Sequence, residues 1–133
     1  KIRQLQREMA ERRMMEKVPQ ADVVITNPTH FAVALKYDPL NGGAPIMLAK
    51  GADFIAQKIR EVANENNIVV LESPPLARAV YYSTALDQEI PSGLYLAVAQ
   101  VLAYVFQLRQ YRAGQGKRPG PMPEPPIPDD LKK

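Results

Sequence analysis

ADVVITNPTHFAVALKY, residues 21–37, reads as two strands joined by a tight turn. Ala21 to Thr26 is a β-branched, apolar run, the composition of a buried strand. Phe31 to Tyr37 is a second strand, with Phe31, Val33 and Leu35 alternating against smaller or polar neighbours. Between them stands Asn27-Pro28-Thr29-His30. Asn followed by Pro is a common way to start a turn, because proline presets the backbone for the second turn position.

Working outward, Asp38-Pro39 and Asn41-Gly42-Gly43 break the chain, and Ile46 to Lys50 forms a short third strand. Residues 52–65 follow as a helix, with Ile55, Ile59 and Val62 on one face. Ile68 to Leu71 is a fourth strand, wholly apolar and therefore expected at the centre of the sheet. Pro74-Pro75 opens a helix running to about Ala85, since proline suits a first helical turn. After Pro91-Ser92-Gly93, with Ser92 a candidate cap, comes a last helix. Its stripe of Leu94, Val98, Val101, Leu102, Val105 and Leu108 suits a face packed on the sheet. The expected fold is α/β: a small mixed four-stranded sheet flanked by helices.

Both ends differ from this centre. Residues 1–17 lack Gly and Pro and consist of good helix formers with sparse apolar positions. They read either as a solvated, charge-laced helix or as a linker helix from a membrane part. Residues 113–133 hold six prolines, three glycines and no aromatic residue, the make-up of a disordered or polyproline tail. The domain proper is thus expected over 18–112.

Totals exclude several classes of function. The 133 residues suit one domain plus extensions. Without cysteine there is no disulfide framework and no thiolate chemistry. His30 is the sole histidine, and no spacing of His and carboxylates suits a metal; no cofactor is expected. Residues 1–17 carry six Lys/Arg against three Glu, and the rest of the chain is balanced at eleven of each sign. The whole excess charge of +3 therefore sits in the N-terminal segment. That distribution argues against nucleic-acid binding, which needs a broad basic field. The longest apolar stretch, Leu94 to Leu108, is shorter than the roughly 20 residues of a membrane span and contains Gln100 and Gln107, so the chain is expected to be soluble.

Chemistry concentrates at Asn27. Asparagine normally ages when the next residue's backbone nitrogen attacks the side-chain amide carbon. Proline has no N–H, so that route is closed here. The intramolecular route left open runs the other way: the Asn27 side-chain nitrogen attacks its own backbone carbonyl carbon. A succinimide forms, and Pro28 departs as a new amino terminus. A folded turn accelerates this by holding the side chain near the carbonyl and by aiming backbone N–H groups at the developing oxyanion. His30 is the candidate for moving protons, because histidine titrates near neutrality; orienting the turn is an equal alternative. Thr29 is read as local turn geometry. The rival reading is a turn that never reacts, within a structural or binding adaptor.

The motif Asn27-Pro28-Thr29-His30 between such strands resembles the signature of the FlhB/YscU family of type III secretion export proteins. The stretches NPTHFAVALKYD, LAKGAD (48–53), ESPPLARAVYY (72–82) and IPSGLYLAVAQVLAYVFQLR (90–109) resemble its flagellar branch, and the likeness covers roughly residues 1–112. It implies a domain on the cytoplasmic face of the bacterial inner membrane, joined to an N-terminal membrane part through residues 1–17. It implies one self-cleavage per molecule at Asn27–Pro28 rather than enzymatic turnover. Its implied role is in switching export from rod and hook components to filament components, with other export-apparatus proteins and the substrates as partners. Ala44-Pro45, beside the flexible Asn41-Gly42-Gly43, with Ala99 and Leu102 of the last helix, is a candidate shallow dimple for substrates. Ala99 and Leu102 also suit plain core packing.

Overall fold

The two β-branched segments pair as a hairpin in the computed structural model, which describes residues 1–28 and 30–131. Strands β1 (Val23–Asn27) and β2 (Phe31–Lys36) run antiparallel, from Val23 opposite Leu35 to Asn27 opposite Phe31. β3 (Ile46–Ala52) pairs antiparallel with the far side of β2, and β4 (Val69–Glu72) lies parallel to β1. The order β3-β2-β1-β4 makes a mixed sheet with the hairpin at its centre.

Side-chain alternation sorts the residues onto two faces. Val23, Ile25, Val33, Leu35 and Met47 share one core with helices α3 (Pro74–Ser83) and α4 (Tyr95–Arg112). Val24, Ala32, Ala34, Leu48 and Ala49 share the other with α2 (Asp53–Glu65). Alanines dominate the second face, and Ala56 and Ala63 of α2 meet them, so helix and sheet approach closely. Within α2 the buried line is Ala56, Ile59 and Ala63. Ile55 and Val62, expected beside Ile59, are half-buried at its edge.

Helix α1 (Ile2–Lys17) is exposed along most of its length, as its charge lacing requires; only its last turn docks, through Met14 and the following Val18. Lys17 Nζ lies 2.7 Å from Asp87 Oδ1 at that junction.

The first strand begins at Val23 rather than Ala21, and other expectations change too. The fourth strand stands at the edge of the sheet, not at its centre. Its apolar run answers burial on both faces, with Leu71 turned to one core and Val70 to the other. A strand covered on both sides is apolar wherever it stands in the order. Ser92 makes no capping hydrogen bond; it begins a 3-10 turn, Ser92–Leu94, that leads into α4. The third strand runs two residues further than expected, through Gly51 and Ala52, both paired with β2.

Beyond Gly116 the chain has no helix or strand before a 3-10 turn at Asp129–Leu131. Met122, Ile127 and Leu131 nevertheless lie against the α3/α4 core, and Pro125 is buried.

Candidate functional site

Asn27 is the last residue of β1, held between two neighbours. Its pairing with Phe31 closes the hairpin, and on the other side the Ser73 amide donates to the Thr26 carbonyl at 2.9 Å. Thr26 is buried, with its hydroxyl 3.4 Å from the Leu71 carbonyl. The Asn27 carbonyl therefore sits at the end of a strand bonded on both sides, where the chain leaves the sheet.

Within the turn, the His30 backbone N–H donates to the Asn27 carbonyl oxygen at 2.9 Å. That oxygen is the one that would become an oxyanion if the Asn27 side chain attacked the carbonyl carbon. A donor already placed there strengthens as negative charge builds, without reorganising. The His30 carbonyl in turn accepts from the Asp53 amide, also at 2.9 Å. The His30 imidazole is exposed. Among the described residues its ring neighbour is Phe31, at 6.5 Å between centroids, and it makes no side-chain hydrogen bond. Position 30 thus contributes a backbone amide in a defined place. Thr29, read as a turn partner, lies outside the described residues.

Phe31 anchors an aromatic cluster at the base of the turn. Its ring lies 4.5 Å from that of Tyr81 and 5.5 Å from that of Tyr82. Sequence reasoning missed this support, although Tyr81-Tyr82 stands in plain view at the end of α3. A groove of 680 Å³ opens on the other side of Asn27. It is lined by Pro74, Pro75 and Arg78 of α3 and by Glu124 to Ile127 of the tail. Composition alone gave no reason to bring the tail to this place.

The four residues expected to form a docking dimple do come together. Ala44, Pro45, Ala99 and Leu102 line one groove of 490 Å³ between the β2–β3 loop and α4. They divide by role. Leu102 is 5% exposed and forms the floor while belonging to the core, and Pro45 is likewise buried; Ala99 is exposed on the rim. Tyr37, Tyr95 and Phe106 add aromatic walls. Tyr95, Ala99, Leu102 and Phe106 follow helical spacing, so the same periodicity that marks the core stripe, offset around α4, would have found those walls. Among the described residues, Glu89 is the one charged residue in the lining.

Among the described residues, no cluster of His and acidic side chains is gathered for a metal ion. No described helix is long and apolar enough to cross a membrane.

Comparison with known proteins bears on this pair of sites. The model of the FlhB HrpN YscU SpaS family matches residues 1–105. The flagellar biosynthetic protein FlhB of Salmonella typhimurium is 54% identical over 98% of the chain. FlhB of Bacillus subtilis is 52% identical over 83%. The chain spans about a third of these relatives' lengths, 34% and 31%. The crystal structure of the cytoplasmic domain of FlhB from Shewanella putrefaciens superposes with a TM-score of 0.88 at 60% identity, covering 92% of this chain and 95% of that one. A mutated EscU C-terminal domain superposes at 0.66 with 28% identity, covering 69% of this chain and 92% of that one.

Proposed function

Because the chain belongs to the FlhB HrpN YscU SpaS family, we propose that it is the cytoplasmic part of a flagellar export protein that cuts its own backbone once, between Asn27 and Pro28. The observation that carries this reading is the His30 amide on the Asn27 carbonyl oxygen at 2.9 Å, in a turn whose next residue has no N–H.

The step balances without a co-reactant. Asn27 Nδ2 forms a bond to the Asn27 carbonyl carbon, and the bond from that carbon to the Pro28 nitrogen breaks. The proton lost by Nδ2 ends on Pro28, which leaves as a secondary amine. Water later opens the succinimide. The bond cut is the molecule's own, so the event is maturation rather than turnover.

Both pieces are held after cutting. Segment 1–27 supplies the strand between β2 and β4 and buries Val23, Val24 and Ile25 completely. At about 1.5–3 kcal/mol for each such side chain, these three alone contribute roughly 5–9 kcal/mol to retention. Cleavage therefore frees the turn and leaves the sheet.

In this reading residues 1–17 connect the domain to a membrane part on the cytoplasmic face of the inner membrane. The groove at Ala44, Pro45, Ala99 and Leu102 receives apolar segments of rod, hook and filament components as export switches between them. Its aromatic walls and single charge suit weak contacts with many substrates.

The deciding experiment is the denatured mass of freshly made protein beside Asn27→Ala. Fragments 1–27 and 28–133 from the native chain alone, co-eluting before denaturation, are the expected result. A single intact mass persisting for days would overturn self-cleavage and leave a non-cleaving adaptor.

A further inference from the structure

Lys50 is half-buried on β3, opposite Val33 of β2. Its ammonium points at the end of α3. Nζ donates to the Tyr81 carbonyl at 2.9 Å and to the Thr84 carbonyl at 2.9 Å, and lies 5.0 Å from the centre of the Tyr81 ring. The last carbonyls of a helix have no partner within the helix, and a cation there is favoured by the helix dipole. Helix capping alone would account for such a lysine. What stands on the far side of Tyr81 gives it a second role.

Tyr81 packs on Phe31, 4.5 Å between ring centres. Phe31 is the residue that pairs with Asn27 to close the turn, and it pairs with Ala52 of β3 on its other side. Three residues beyond Lys50, the Asp53 amide holds the His30 carbonyl at 2.9 Å. Asp53 has φ of +50°, a left-handed conformation that few side chains other than Asn and Asp adopt. Gly51 stands between them because a Cβ there would overlap the Ile55 side chain, at 2.7 Å from Ile55 Cβ and 3.2 Å from its carbonyl carbon. The corner 50–53 thus reaches the cleavage turn twice, directly through Asp53 and indirectly through Lys50, Tyr81 and Phe31.

We propose that Lys50 is a positioning residue for the cleavage of Asn27–Pro28, holding Tyr81 under Phe31 so that the His30 amide stays on the Asn27 carbonyl oxygen. The inference rests on the self-cleavage reading and adds the group that keeps its oxyanion donor in place. Lys50 touches no reacting atom. Its effect is geometric, through the closing pair of the hairpin.

Two measurements test it. In the first, cleavage of newly translated full chain is followed with time for the native protein, Lys50→Met, Lys50→Arg and Ile59→Val. The last removes one methylene from α2, in the core on the opposite face of the sheet, and serves as a control for lost stability. Lys50→Met is expected to slow cutting on the order of 10- to 100-fold, the scale on which small misplacements act. Lys50→Arg, able to donate to both carbonyls, recovers most of the rate, and Ile59→Val at the same melting temperature leaves it unchanged. Cutting by Lys50→Met no slower than by that control would overturn the proposal.

The second measurement does not depend on cleavage. In an Asn27→Ala background, hydrogen exchange of the His30 amide is expected to rise roughly ten-fold on adding Lys50→Met, as local opening becomes easier. If the native chain never cuts, the self-cleavage reading fails, and unchanged exchange at His30 would separately remove the positioning role.

Discussion

Strand β2 joins two sites built on opposite terms. Its first residue, Phe31, closes a turn held by backbone bonds at Asn27, His30 and Asp53 and by a packed aromatic cluster. Its far end runs into Tyr37 and a loop in which Gly42 and Gly43 take φ of +101° and +85° with open space around them. About 20 Å of strand separates the two ends. Self-cleavage as proposed requires the turn to hold a nucleophile, a carbonyl and a donor in one geometry, and the supports around it restrict motion. The groove at the other end only needs an apolar surface with a yielding lip. In the proposed function, a well-braced turn for cleavage and a glycine-edged groove for docking are thus placed on one strand without conflict.

The sharpest way to break this contrast is at the rigid end. Pro28→Ala restores an N–H after Asn27 and frees the backbone that proline presets. Cleavage is expected to fall on the order of 10-fold or more as the attack geometry loosens. Ordinary deamidation of Asn27 should then appear in the uncut chain, because the side-chain carbon becomes open to attack by the backbone nitrogen of the substituted residue. Intact-mass analysis reads both outcomes: uncut chain with a gain of about one mass unit at Asn27 is predicted, and clean cutting at the native rate would contradict it.

A change at the yielding end should separate the two sites. Ala99 is exposed on the groove rim, so Ala99→Glu leaves the core intact while placing a second negative charge beside Glu89. Desolvating that charge under an apolar ligand is costly. Binding of purified rod, hook or filament subunits, read by titration, is expected to weaken about ten-fold, equivalent to roughly 1.4 kcal/mol. The rate of cleavage should not change. A parallel loss of cleavage would mean that the ends of β2 are coupled.

What was legible in the sequence follows the same division. Patterns carried by neighbours in the chain, such as the hairpin of residues 21–37 and the stripe on α4, translate directly into local structure. The four dimple residues came together because two of them sit on a helix face and two beside a glycine-rich loop. Relations that depend on which surface meets which were not legible. Apolar Ile68 to Leu71 reports two-sided burial but not rank in the sheet, and it lies at the edge. Lys50 stands in the sequence only as the end of the third strand, and its role shows once β3 is laid opposite the end of α3. The tail's composition favours an open polyproline course, yet Met122, Ile127 and Leu131 meet apolar ground on the α3/α4 side.

The finest test concerns which part of His30 matters. Its imidazole is exposed, whereas its backbone N–H is committed to the Asn27 carbonyl oxygen. His30→Ala keeps that N–H and removes only the ring. If the amide supplies the stabilisation, cleavage should stay within about ten-fold of native. A general acid at the departing Pro28 nitrogen would be worth about 10²–10⁴ in rate, so a loss of that size would assign proton transfer to the imidazole. Time courses for His30→Ala and His30→Gln separate these results. Glutamine keeps polar bulk without an ionisable ring, so recovery by Gln but not Ala would mean that the side chain orients the turn, and equal small losses would leave the backbone amide as the contribution of this position.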